Sequence, residues 1–149
     1  MKILVDADAT PKEVKEILFK TSKRLKLNLI LVANQKMKTP KSELIKSIVV
    51  AQGFDEADNY IVEILEKGDL VISADIPLAD RIIEKNGFVL TPRGNILDED
   101  NIGEKVAMRN LMEELRSGGM ESGGPPPFNK KDKVKFSREL DKFLTKQLK

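Results

Sequence analysis

The chain has 149 residues, 40% of them hydrophobic and 34% charged, which suits one globular domain with a core of its own. It contains no cysteine and no histidine, which excludes disulfides, thiolate and imidazole metal ligands, Ser-His-Asp triads and Cys nucleophiles, and leaves acid–base work to Asp, Glu, Lys, Arg, Tyr60, amides, hydroxyls or water. The net charge of +2 is uneven: residues 130–149 hold eight Lys/Arg against three Asp/Glu, a local +5, and the rest of the chain sums to −3.

The apolar run Ile3-Leu4-Val5 predicts a strand over 2–5 that stops at Asp6-Ala7-Asp8. Two aspartates two apart on one strand point to the same side, roughly 7 Å apart at Cα. Thr10-Pro11 reads as N-cap and first helical position of a helix to about 26, with Val14, Ile17, Leu18, Thr21 and Leu25 on its apolar face. A near-continuous apolar run over 28–33 predicts a second strand, covered on both faces and ending at Asn34-Gln35. Residues 36–46 are basic and read as a loop with a helical turn, and 47–51 as a third strand. Asp55 is expected to cap a helix over 56–67, with Asp58 in a capping-box-like position and Gly68 as C-cap. A fourth strand over 69–74 stops at Asp75. Pro77 opens a helix over 78–85, and a fifth strand over 88–90 ends in Thr91-Pro92-Arg93-Gly94.

This alternation argues for a doubly wound, mostly parallel five-stranded α/β sheet with right-handed crossovers. A helix over 100–116 follows, then Gly118-Gly119 and the breaker run Ser122-Gly123-Gly124-Pro125-Pro126-Pro127. Lys130 opens an amphipathic helix with Phe136, Leu140, Phe143, Leu144 and Leu148 at helical spacing. The expected organisation is a domain over 1–117, a Gly/Pro-rich linker over 118–129, and a basic helix over 130–149 packed on the same domain. With no run of 18 apolar residues and no basic-then-apolar leader, the expected location is the cytoplasm, with no membrane contact.

In a parallel sheet Asp6, Asp8 and Asp75 would all stand past the carboxyl ends of their strands, where such sheets bind ligands. Like charges so close raise one another's pKa unless a cation neutralises them, and oxygen-only clusters suit Mg²⁺ or Mn²⁺. Asp6, Asp8 and Asp75 are therefore the candidate catalytic acids and, with Asp58, the candidate metal ligands. Each alone is open to a plainer role, since Asp also caps helices and makes turns. Asn34, Gln35 and Asn59 offer amides, and Arg93 and Arg109 guanidinium groups, for a phosphate-bearing substrate. Lys105, Arg109 and Arg116 form a rough stripe on one helix. The basic last helix fits attraction to a polyanion. The prolines of the breaker run lack N–H donors, so it suits a hinge better than a phosphate cradle.

Several blocks together carry a resemblance. Val5-Asp6-Ala7-Asp8-Ala9, Val32-Ala33-Asn34-Gln35, Gly53-Phe54-Asp55-x-x-Asp58-Asn59, Gly68-Asp69-Leu70-Val71-Ile72-x-x-Asp75-Ile76-Pro77-Leu78-Ala79, Pro92-Arg93-Gly94 and Met108-Arg109-Asn110 resemble the bacterial YaiI/YqxD family over nearly the whole chain. The resemblance implies a PIN/NYN-like nuclease fold, in which acids past the first and fourth strands bind Mg²⁺ or Mn²⁺. By it, Asp6 and Asp75 would be metal-site acids, and Asp58 would match an acid near a mid-chain helix start. Two departures stand out. PIN-like sites often carry a further acid soon after the fourth-strand aspartate, where this chain has Ile76-Pro77-Leu78 and no acid before Asp80. The family often has Cys where this chain has Thr10, so no Cys-dependent mechanism operates here.

The expected activity is metal-dependent hydrolysis of RNA phosphodiesters by activated water. Two alternatives remain open. Asp6-Ala7-Asp8-Ala9-Thr10 also fits the D-x-D-x-T signature of haloacid-dehalogenase-like phosphatases, with Asp6 as nucleophile. The chain could equally be a non-catalytic RNA-binding module of PIN-like fold. Nothing in the sequence indicates the oligomeric state.

Overall fold

The computed structural model describes residues 1–53, 55–119 and 126–148; residues 120–125 of the expected linker lie outside them. The elements are β1 (Ile3–Asp6), α1 (Lys12–Leu25), β2 (Leu29–Ala33), β3 (Ile45–Val49), α2 (Glu56–Ile64), β4 (Leu70–Ile72), α3 (Ile76–Glu84), β5 (Phe88–Leu90), β6 (Ile96–Leu97), α4 (Ile102–Ser117) and α5 (Lys130–Gln147). They form one sheet in the order β3-β2-β1-β4-β5-β6. The first five strands pair in parallel, and β6 returns antiparallel to β5. The sheet thus has six strands where five were expected. The added strand is two residues long, too short to show any periodicity.

Alternation along the strands sorts the core into two halves. Ile3 and Val5 of β1, with Leu29, Leu31, Leu70, Ile72 and Leu90, face α1 and α5. Leu4, with Val32, Val71 and Val89, faces α2, α3 and the first turns of α4. The result is a doubly wound, PIN-like three-layer arrangement. The chain leaves β1 toward β2 on one side and builds β4 and β5 on the other. The crevice between β1 and β4 is therefore the topological switch point, where open α/β sheets bind ligands.

Three local differences from the sequence expectation bear on that crevice. First, β1 does not run on through Asp8. Ala7–Ala9 form a 3₁₀ turn, closed by the Thr10 hydroxyl, which donates to the Asp6 carbonyl at 2.8 Å. Helix α1 therefore starts at Lys12 with Pro11, not Thr10, at the N-cap. Second, Asp55 has φ 65° and makes no side-chain cap, so the expected Asp55–Asp58 capping box does not form. Third, α2 ends at Ile64, with Leu65 already extended. The β2–β3 connection is a loop, without the expected helical turn.

Helix α5 belongs to the core. Phe136, Leu140 and Leu144 are buried on the α1 side of the sheet, and Phe143 meets Phe88 edge-on with ring centroids 5.1 Å apart. A capping box between Asn129 and Asp132 starts the helix. Its first turns are fastened to the β5–β6 turn: Arg93 pairs with Asp132 at 2.9 Å, and Lys135 Nζ donates to Asn95 Oδ1 at 2.7 Å. Gly94 makes this approach possible. It has φ 85°, and a Cβ there would lie 2.9 Å from the backbone of Lys135 and Phe136. Helix α4 behaves differently. Only Ile102 is buried, and Met108, Leu111, Met112 and Leu115 are exposed along one face. No described helix is long and apolar enough to cross a membrane.

Candidate functional site

Asp6 is the last residue of β1 and half-buried. The next strand over, β4, ends at Ile72, and the buried Ser73 follows it. The Ser73 hydroxyl ties the two strand ends together. It donates to Asp6 Oδ2 at 3.1 Å and accepts from the Asp75 backbone N–H at 3.0 Å. Asp75 is the N-cap of α3, where its Oδ1 accepts from the Leu78 N–H at 3.0 Å. Asp75 is thus a helix cap as well as a candidate site acid. Sequence reasoning missed Ser73. A hydroxyl inside an otherwise apolar strand end was the available signal, because a buried polar group needs a partner.

The acids of the crevice feel one another. Burial pushes the Asp6 carboxyl above its ordinary range; the Ser73 hydrogen bond opposes the rise, and the charges of Asp75 and Asp8 add to it. Asp58, on the first turn of α2, is pushed up to about 6, first by burial, then by the charges of Asp75, Asp6 and Asp55, with Arg81 pulling the other way. Acids from β1, α2 and the head of α3 therefore share one potential. Asp8 is turned aside by the 3₁₀ turn, and its Oδ2 accepts from the Asn34 N–H at 2.7 Å at the end of β2. It does not extend the β1 row as the sequence suggested.

The candidate substrate contacts divide. Asn34 borders Asp8, with its side-chain amide donating to the Ala51 carbonyl at 3.1 Å, and Gln35 beside it is exposed. Asn59 follows Asp58 on α2, and its Oδ1 accepts from Arg81 at 2.9 Å. Arg93 is spent on Asp132 and on the Pro126 carbonyl. Arg109 pairs with Glu113 one turn along α4 at 3.2 Å. The cation that acts on the acidic cluster is Arg81 of α3, which the sequence did not single out.

Among the described residues, no three acids close around a common point as a ready-made metal cage. The donor set nevertheless fits a hard divalent cation. All the available ligands are oxygens, the Asp6 and Asp58 carboxyl groups are pushed up first by burial and then by neighbouring acids, and Mg²⁺ ordinarily keeps several waters while binding one or two carboxylates.

A family model described as "Uncharacterized BCR, YaiI/YqxD family" matches residues 4–146. A UPF0178 protein of Maridesulfovibrio salexigens is 60% identical over 148 residues, covering 99% of this chain and 98% of that protein. UPF0178 proteins of Hahella chejuensis and Desulfotalea psychrophila are 52% and 49% identical, each over 146 residues and 98% of this chain, covering 97% and 99% of their own lengths.

Proposed function

The chain belongs to the YaiI/YqxD family, and we propose that it is a divalent-metal-dependent phosphodiesterase acting on RNA. The observation that carries the proposal is the electrostatic coupling of Asp58 to Asp6 and of both to Asp75, acids from three separate elements near the switch point of the sheet. Carboxylates crowded without a counter-charge weaken a fold, and a cation relieves them.

Asp6, Asp58 and Asp75 would hold a Mg²⁺ or Mn²⁺ ion, with Asp8 at the flank. Such an ion supplies a water of lowered pKa and neutralises charge on the phosphate. The chain's own groups do the rest. Ser73 fixes the Asp6 carboxylate and the Asp75 backbone in one hydrogen-bonded unit. The α3 cap holds Asp75 in place. Arg81, bonded to Asn59, is the guanidinium positioned to meet a phosphate beside the acids.

The test is a calorimetric Mn²⁺ titration of wild type against Asp6→Asn/Asp75→Asn, followed by RNA cleavage with Mn²⁺. We expect the double variant to bind the ion at least roughly tenfold more weakly, since 1.4 kcal/mol is one such factor, and to cleave nothing. Unchanged ion affinity would remove the site. A phosphoryl group trapped on Asp6 would favour the dehalogenase-like chemistry instead. Metal binding with no cleavage by wild type, and tighter RNA binding by Asp6→Asn, would identify a binding module.

A further inference from the structure

We infer that the seam between α1 and α5 is a groove for single-stranded RNA, in which a base rests on Phe128 while neighbouring phosphates meet Lys130, Lys133 and Arg138. The groove has a volume of about 740 Å³. Its floor is apolar, made by Ile17 of α1, Phe128 just before α5 and Val134 of α5, the last 55% exposed. Lys130, Lys133 and Arg138 line it from α5. A second depression shares Lys130, Val134 and Arg138, adds Lys131 and Lys135, and has no acid among its described lining residues.

Two acids, Glu13 and Asp141, also line the first depression. Asp141 is paired with Arg24 at 2.9 Å and Arg138 with Glu139 at 3.6 Å, which leaves Lys130 and Lys133 against Glu13 and a net positive lining. An aromatic floor beneath a row of cations is the arrangement that single-stranded nucleic acid uses, with a base on the ring and the backbone on the charges. A duplex keeps its bases stacked inside and would leave the floor empty. The positive charge is also concentrated where a polyanion needs it: the last twenty residues carry +5 against −3 for the rest of the chain.

The groove begins near the edge of the sheet that carries the acids. The Arg93–Asp132 and Lys135–Asn95 contacts pin the first turns of α5 to the carboxyl end of β5. That strand is two away from β1 in the sheet, roughly 10 Å. One RNA strand can therefore lie on the seam and pass the acids. The inference takes its ligand class from the phosphodiesterase reading but does not need hydrolysis to occur.

The experiment is fluorescence anisotropy with a labelled single-stranded oligouridylate, in EDTA so that nothing is cleaved, using the full chain. Lys130→Ala/Lys133→Ala/Arg138→Ala should weaken binding at least tenfold and flatten the log–log salt dependence by about 2, the value for three lost phosphate contacts on a single strand. Phe128→Ala should weaken binding roughly tenfold with little change in salt slope. A control of equal charge at exposed lysines away from the seam, Lys41→Ala/Lys46→Ala/Lys67→Ala, should bind within about twofold of wild type, and all variants should match its circular dichroism. The inference is overturned if the groove variants bind like wild type, if the control loses as much as they do, or if a duplex of the same sequence binds as tightly. Groove-dependent binding without cleavage in Mn²⁺ would keep the groove and sink the hydrolytic reading. Cleavage that needs Asp6 but ignores all three groove cations would do the reverse.

Discussion

At neutral pH the Asp6 and Asp58 carboxylates, raised first by burial and then by neighbouring acids, work against the fold, because the folded state holds their protons more tightly than the unfolded chain does. Asp58 shows the sign most clearly. Its folded pKa, about 6, lies above the unfolded aspartate value near 3.9. Between those two values the folded protein binds more protons, so stability falls as pH rises from about 4 to about 6 and stays lowered above that. Asp58→Asn should therefore melt higher than wild type at pH 7, by roughly 2–4 °C for each kcal/mol recovered, and the gain should vanish near pH 4. Mn²⁺ should raise the wild-type melting temperature at pH 7 and much less at pH 4.5, in differential scanning fluorimetry. A flat response to both pH and Mn²⁺ would mean that the acids are not coupled. Asp69 is the contrasting case. It is 3% exposed, paired with Lys2 at 2.6 Å, and accepts from the Glu66 N–H at 2.8 Å. Asp69→Ala should cost about 3 kcal/mol in urea unfolding, because the Lys2 and Glu66 N–H groups lose their buried acceptor and Lys2 keeps only the exposed Glu66.

Helix α5 depends on a turn that leaves no room for a side chain. Gly94→Ala would drive a methyl group into the backbone of Lys135 and Phe136 at a residue with positive φ, and should cost roughly 1–3 kcal/mol. Asn129→Ala should cost about 1 kcal/mol through the lost cap. If Gly94→Ala unfolds at the wild-type urea midpoint, α5 is not held against this turn. The sequence showed this element's apolar face, and the acids at the ends of β1 and β4, because apolar runs and their polar stops are local patterns. It did not show Arg93 reaching Asp132, since that contact spans 39 positions. Nor did it show the Ala7–Ala9 turn that swings Asp8 toward Asn34: one hydrogen bond from Thr10 decides that turn, and hydropathy does not record it. The capping reading of Asp55 and Asp58 failed for a similar reason. A capping box and an acid that simply follows a helix start have the same spacing, and the αL backbone of Asp55 separates the two cases.

Over the whole molecule, the doubly wound order was legible because β1, β2 and β4 are apolar on both faces and the helices between them are amphipathic. The two-residue β6 was not, and the side of the sheet that α5 would take could not be read from its own periodicity. Phe136→Ala should cost about 3–5 kcal/mol, since Phe136 is fully buried among strand residues.

The seating of α5 also bears on how the protein is made. The middle strand of the sheet is synthesised early and α1 covers part of one of its faces, but that face is completed only when Phe136, Leu140 and Leu144 arrive. A nascent chain arrested near residue 117 would carry a bare aliphatic surface, the kind of surface that chaperones hold and that aggregates when they do not.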